Sequence, residues 1–166
     1  EKIPELGDKF ASRSGQKGIM GMLLNESDMP FSKRGIRPDM IINPQAFPKR
    51  MTISQFVESY FAKECGLLGI FGDSSPFQTI PIDKIGDVLQ GLGYERYGCE
   101  LLYNGSTGEQ LESDIFIGPT YYERLQHQVE DKMHSRAEGS VTMLSKQPTG
   151  GRSIGGGLRI GEMERD

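Results

Sequence analysis

Between Thr52 and Gly66 the apolar residues Ile53, Phe56, Val57, Tyr60 and Phe61 fall at i, i+3, i+4, i+7 and i+8. That is the stripe an amphipathic helix presents to a core. The spacing predicts a helix over 52–66, opened by Thr52 and Gln55 in capping-box positions and stopped at Gly66. Ile82, Ile85, Leu89 and Leu92 predict a second, shorter helix over 82–92, ended by Gly93. Tyr122, Leu125, Val129 and Met133 predict a third over 120–136, following Pro119.

Elsewhere the apolar positions come in short runs. Ile19–Leu24 reads as a buried strand, and Met40–Ile42, set between prolines, as a short strand entering a rigid extended segment. Residues 67–80 are loop-like. "LLYNGSTGEQLESDIFIGP" reads as a hairpin, two strand-like runs around an Asn/Gly/Ser turn. The tail "KQPTGGRSIGGGLRIGEMERD" is so rich in glycine that it is either a mobile linker or a loop shaped by what it grips.

Composition adds little against this picture. The chain has 166 residues and 36% apolar content, enough for one domain with a core. Gly and Pro make up about 19% of it, above the usual ~12%, favouring turns and short strands over a helical bundle. No apolar run approaches the length of a membrane span, and no signal-peptide pattern is present. Cys65 and Cys99 lack a C-x-x-C partner and read as two free thiols of a reducing compartment.

Charge distribution changes the picture more. The net charge is −4, yet residues 1–50 carry nine Lys/Arg against six Asp/Glu and residues 132–159 carry five against one. Residues 51–131 carry four against thirteen. Two basic segments flank an acidic middle, by uneven chance or as parts of one cationic face.

The first basic segment holds "GDKFASRSGQKG" (7–18), with Lys9, Arg13 and Lys17 among three glycines. Lys17 follows Gln16 and precedes Gly18, so the G-x-x-x-x-G-K-[ST] phosphate loop is absent, and no G-x-G-x-x-G opens a helix. The stretch remains either an exposed basic loop or a place where backbone and cations approach phosphate oxygens. Arg50 lies between a proline-stiffened segment and a helix start, a position suited equally to an aimed anion contact and to a solvated charge. His127 and His134, seven apart, lack the i, i+4 spacing of a metal pair. "DKMHSR" (131–136) resembles an anion-facing helix end, which cations suit on structural grounds too. No nucleophile elbow or Cys–His signature appears.

Taken together, "GDKFASRSGQKG", "DMPF", "RPDMIINPQAFPKRMTISQ", "IFIGPTYYERLQHQVEDKMHSR" and "GGLRIGEMERD" resemble the second-largest, beta-type subunit of multisubunit DNA-dependent RNA polymerases. "GEMERD", "IGPTYY" and "NGSTG" are closest to the eukaryotic, archaeal and large-DNA-virus versions. The family's subunit is far longer, so the chain is similar to a fragment or split-gene piece of it.

The resemblance implies an α+β fold centred on a double-psi β-barrel, with inserted helices and a hairpin, in the hybrid-binding region. Residues 1–143 would form the barrel region, 67–118 an insertion carrying the hairpin, and 144–166 a Gly-rich, switch-like loop leading out. By the same resemblance, Lys9 and Lys17 match paired lysines beside the RNA 3′ end and the initiating nucleotide. Arg50 matches an arginine at the incoming triphosphate. His134 and Arg136 match residues near the same phosphates, and Arg152 and Arg159 lie in the loop that orders against the RNA–DNA hybrid. Arg13 and Gln16 join them as nucleic-acid contacts.

Implied partners are the largest and other polymerase subunits, template DNA, nascent RNA and nucleoside triphosphates, with no membrane. Mg²⁺ would be held mainly by the largest subunit, whose N-A-D-F-D-G-D-type motif is absent here. Neither the acidic pair associated with the second metal nor the cysteine-rich zinc module of relatives is in this chain. The expected location is intracellular: nuclear for a cellular eukaryotic enzyme, cytoplasmic or virion for an archaeal or viral one. One position departs from the family pattern, with Ser14 where relatives carry His. The implied function is to supply cations to nucleotidyl transfer within a polymerase, without activity as an isolated chain. A non-catalytic assembly module and a stand-alone nucleic-acid-binding domain are the alternatives.

Overall fold

A computed structural model describes residues 2–166. The chain divides into two compact units, one ending at Gln126 and the other spanning His127–Asp166, where the sequence reading set the change at 143/144.

The first unit begins with a hairpin of β1 (Lys9–Ser12) and β2 (Lys17–Ile19). Its turn depends on Gly15, whose φ of +79° is open to glycine and strained for other residues. A two-residue strand, β3 (Phe31–Ser32), comes next, then α1 (Ala46–Arg50), α2 (Ile53–Leu68) and α3 (Ile82–Gly91). β4 (Cys99–Glu100), β5 (Leu102–Tyr103), β6 (Ile115–Phe116) and β7 (Tyr122–Arg124) complete the unit. The sheets are small: β2-β1-β7, β3-β5 and β4-β6, every pair antiparallel. The fold is mixed α and β, as expected, and among the described residues these sheets close no barrel.

The core forms where α2 meets α3. Tyr60, Ile85 and Leu89 are buried there, with Phe61, Ile80, Tyr94 and Phe116 packed against them. Phe56 extends it, with ring centroids 4.2 Å from Phe47 and 5.6 Å from Phe116. Lys63, on the same helix, is also buried. Its ammonium donates to Gly98 O (2.9 Å), Ile117 O (3.0 Å) and Glu100 Oε2 (3.1 Å), tying α2 to the strands around it. Three donors meeting three acceptors let a lysine lie inside.

The two central helices lie where the periodicity placed them, with differences at the ends. α2 runs past Gly66 to Leu68 because Gly69, at φ +69°, provides the left-handed cap. The Thr52–Gln55 capping box does not form, since both side chains are engaged with the hairpin instead. The predicted helix over 120–136 is absent. Residues 122–124 are strand β7, held by pairing to β1, and only Val129–Lys132 (α4) is helical. Backbone pairing to β1 there outweighs the apolar spacing.

Three strand expectations also change. Ile19, Met22, Leu23 and Leu24 are exposed, with only Ile19 at the end of a strand. Met40–Ile42 forms no strand and is exposed. The 101–119 stretch keeps a tight hairpin turn, where Asn104 N–H donates to Glu109 O and Leu111 N–H to Leu102 O, each 2.8 Å, but its second run, 115–116, does not pair across that turn. β5 joins β3 and β6 joins β4.

In the second unit, α4 is followed by turns, a 3-10 segment Arg152–Ile154 and α5 (Glu162–Arg165). The glycine-rich stretch is organised by backbone bonds, among them Gly157 N–H to Thr149 O and Gly156 N–H to Gly151 O, each 2.8 Å.

Candidate functional site

The β1–β2 hairpin carries the first lysine on one strand and the second on the other. Lys9 pairs with Ile19 and Ala11 with Lys17. Opposed residues share a sheet face, and alternate residues of one strand do too. Lys9 and Lys17 are therefore diagonal neighbours on one face of the ribbon. Ser12 is on the other face, where its hydroxyl donates to Gln55 Oε1 of α2 (3.2 Å) and the Gln55 amide donates to Tyr122 Oη (3.2 Å). β1 is locked to its other neighbour by a buried ion pair, Asp8 Oδ2 to Arg124 Nη2 at 2.6 Å. Arg124 also donates to Lys2 O at 2.6 Å. Leu125 N–H donates to Lys9 O at 2.8 Å. The lysine backbone is fixed at both ends while the ammonium group remains adjustable.

Arg50 ends α1 and reaches the hairpin turn, where its Nη1 donates to Gln16 Oε1 at 2.7 Å. The Gln16 amide donates in turn to Thr52 Oγ1. A groove of about 950 Å³ runs from this cluster, with Gln16, Lys17, Gly18 and Arg50 along one part of its wall. Met22, Leu23, Met40 and Ile41 line another part. The structure thus brings together Gln16, Lys17 and Arg50. Lys9 shares the ribbon face with Lys17 but does not line the groove. Arg13 stacks its guanidinium 4.2 Å from the Tyr121 ring centroid. Ser14 Oγ lies 3.4 Å from Ser54 Oγ, at the start of α2.

The second unit treats its cations differently. His134 Nε2 is 2.6 Å from Gly156 O; a carbonyl only accepts, so Nε2 carries the proton. Arg136 donates to Ser140 O (3.0 Å) and Gly155 O (3.3 Å), and Arg152 to Glu130 O (3.0 Å). Arg159 is exposed. His134 and Arg136 follow α4 rather than ending a long helix.

Sequence reasoning missed Thr52, Ser12, Gln55 and Tyr122, which orient the site, and the Asp8–Arg124 pair that fixes β1. Both cysteines are free, as expected, and desolvation pushes both thiols above their ordinary pKa. They are poor nucleophiles at neutral pH.

A mixed α/β unit thus sets Gln16, Lys17 and Arg50 beside an open groove, with Lys9 on the same ribbon face as Lys17. The comparisons name its family. The model for RNA polymerase Rpb2, domain 6, matches residues 1–154. The chain is 52% identical over 165 residues to DNA-directed RNA polymerase II subunit RPB2 of Eremothecium gossypii, covering 99% of this chain and 14% of that protein. It is 53% identical over 167 residues to DNA-directed RNA polymerase subunit 2 of Acanthamoeba polyphaga mimivirus, covering 100% and 14%. Against DNA-directed RNA polymerase subunit Rpo2 of Saccharolobus solfataricus it is 47% identical over 165 residues, covering 99% and 15%. The chain belongs to the RNA polymerase Rpb2 domain 6 family. It spans about one seventh of the length of these relatives.

Proposed function

We propose that this chain is the part of an RNA polymerase second-largest subunit that supplies cations to the active centre during DNA-templated RNA synthesis. Lys9 and Lys17 hold the RNA 3′ end and initiating nucleotide, and Arg50 the triphosphate of the incoming nucleotide. Arg13 contacts nucleic acid at the hairpin turn that also carries Gln16. His134 and Arg136 contact phosphates, while Arg152 and Arg159 meet the RNA–DNA hybrid. Phosphoryl transfer asks the protein chiefly for in-line positioning and neutralisation of oxygens, which lysine and arginine provide. The largest subunit and other polymerase subunits are the partners.

The observation that carries this reading is the convergence of Arg50, Gln16 and Lys17 on one groove. A second observation supports it. Gly18 has neither a positive φ nor a neighbour that a Cβ would meet within 4 Å. Nothing among the described residues requires glycine there, whereas close approach of a ligand to the backbone would.

Mg²⁺ does not fit this cluster. Arg50 and Lys17 carry the wrong sign for a cation, and among the described residues no three His, Cys, Asp or Glu side chains gather to hold a metal. The metal's place in this reading is with the largest subunit.

In the complete polymerase, Lys9→Ala with Lys17→Ala should slow nucleotide addition by about 10²-fold while subunit assembly stays intact. Unchanged initiation and elongation would return the chain to the non-catalytic assembly module, a reading favoured by exposed Met22, Leu23 and Ile41. Tight, steeply salt-dependent binding of an RNA–DNA hybrid by the chain alone would instead favour a stand-alone binding domain.

A further inference from the structure

Gln16 is buried, which is unusual for a glutamine sitting in a four-residue hairpin turn between two exposed residues. Its backbone is held across the turn: Ser12 N–H donates to Gln16 O at 3.3 Å and Gln16 N–H donates to Ser12 Oγ at 3.4 Å. Ser12 is itself pinned to α2 through Gln55. The side-chain amide therefore enters the site from a fixed point.

Its two ends are chemically distinct. A guanidinium only donates, so Arg50 must face the amide oxygen, and the NH₂ end must face an acceptor. Thr52 Oγ1 is that acceptor. The amide cannot turn over without setting its NH₂ against the Arg50 N–H group. Arg50 and Thr52 flank Met51, which has φ +54° and ψ +32° and donates its N–H to Phe47 O at 2.8 Å. A left-handed methionine is strained. The reversal it makes is what lets residues 50 and 52 reach the same amide.

We infer that Gln16, locked by Thr52, is a positioning residue for Arg50: it fixes the guanidinium at the edge of the groove, leaving its remaining N–H groups to phosphate oxygens. This assigns Gln16 a role through Arg50 rather than as a direct nucleic-acid contact, and it rests on the triphosphate reading of Arg50 above. An arginine already ordered before the ligand arrives loses less side-chain freedom on binding. The consequence belongs to nucleotide affinity more than to the chemical step.

The test is a double-mutant cycle in the complete polymerase, reading KM for nucleoside triphosphate and the saturated addition rate. Gln16→Leu and Arg50→Ala should each raise KM roughly tenfold, and the double variant no more than Arg50→Ala alone, with the saturated rate changed less than KM. Thr52→Val should raise KM by about threefold, and Thr52→Ser, which keeps the hydroxyl, should restore most of that loss. A full additional KM increase from Gln16→Leu on top of Arg50→Ala would overturn the inference, since Gln16 would then touch substrate itself.

A density map of the Gln16→Leu polymerase separates this from failure of the broader reading. If Arg50→Ala leaves KM unchanged, the triphosphate role falls and the map decides the positioning role. Guanidinium density dispersed relative to the parent supports positioning. Density left in place refutes it.

Discussion

Arg50 and Arg136 both give guanidinium N–H groups to oxygen acceptors within the chain, but the acceptors differ. Arg50 meets a side chain, Gln16, that is held by Thr52 and by the buttressed hairpin. Arg136 meets two main-chain carbonyls, Ser140 and Gly155. In the first unit the fold positions the cation; in the second the cations position the fold. The first unit has a buried core around Tyr60, Ile85 and Leu89 that does not include Arg50. The second has little besides Gly156 buried among its described residues. Its loops are drawn together by Arg136, Arg152 and His134.

The contrast bears on how each unit would meet nucleic acid. A phosphate at Arg50 finds a side chain with one N–H spoken for and others available. A phosphate at Arg136 competes with carbonyls that the loop needs for its own shape. The second unit should therefore change conformation when it binds, and the first should change little.

The largest effect expected is in the first unit, away from its site. Lys63→Met strips three acceptors of their donor and leaves Glu100, largely buried beside it, without its ion-pair partner. A loss of about 3–5 kcal/mol is expected in chemical denaturation, as for other broken buried pairs. A loss under about 1 kcal/mol would mean that the first unit is not organised around this core.

Next comes the packed glycine of the second unit. A Cβ at Gly156 would lie 2.4 Å from Thr149 O and 2.7 Å from Gly151 O, both backbone atoms unable to yield cheaply. Gly156→Ala should cost about 1–3 kcal/mol locally, read as faster amide exchange at Gly157. Exchange unchanged there would show the loop to be loose already.

The smallest effects sharpen the comparison most. Arg136→Ala should lower Gly157 protection by about 1 kcal/mol, discounted for the exposure of its bonds. Arg50→Ala should alter overall stability by no more than about 0.5 kcal/mol, as for other surface changes. Equal effects from the two arginines would erase the distinction between them.

Much of the first unit could be read from sequence because its information is local. Tyr60 and Phe61 of the first stripe pack with Ile85 and Leu89 of the second, so period and burial agree there, although Ile53 and Ile82, which open the two stripes, are exposed. The failures share a cause, which is pairing partners distant in sequence. Tyr122, Leu125, Val129 and Met133 keep helical spacing, yet 122–124 are recruited by β1, more than a hundred residues earlier. Thr52 and Gln55 satisfy the capping-box pattern, yet Gln16 and Ser12 engage them first.

The exposed run Ile19–Leu24 misleads in another way. Its apolar character led to the expectation of a buried strand, yet Ile19, Met22, Leu23 and Leu24 are exposed among the described residues. Of the candidate site, the cations were the residues singled out by motif resemblance. The uncharged residues orienting them were not, because an amide or hydroxyl carries no signal until its partner is in place.

The most direct test is a structure of the complete elongating polymerase with a non-hydrolysable nucleoside triphosphate bound. Arg50 N–H groups and the Lys17 ammonium should lie at hydrogen-bonding distance, about 2.7–3.2 Å, from phosphate oxygens, with Gln16 still on Arg50. Phosphates held entirely by other residues, with Lys17 and Arg50 turned to solvent or to protein carboxylates, would contradict it.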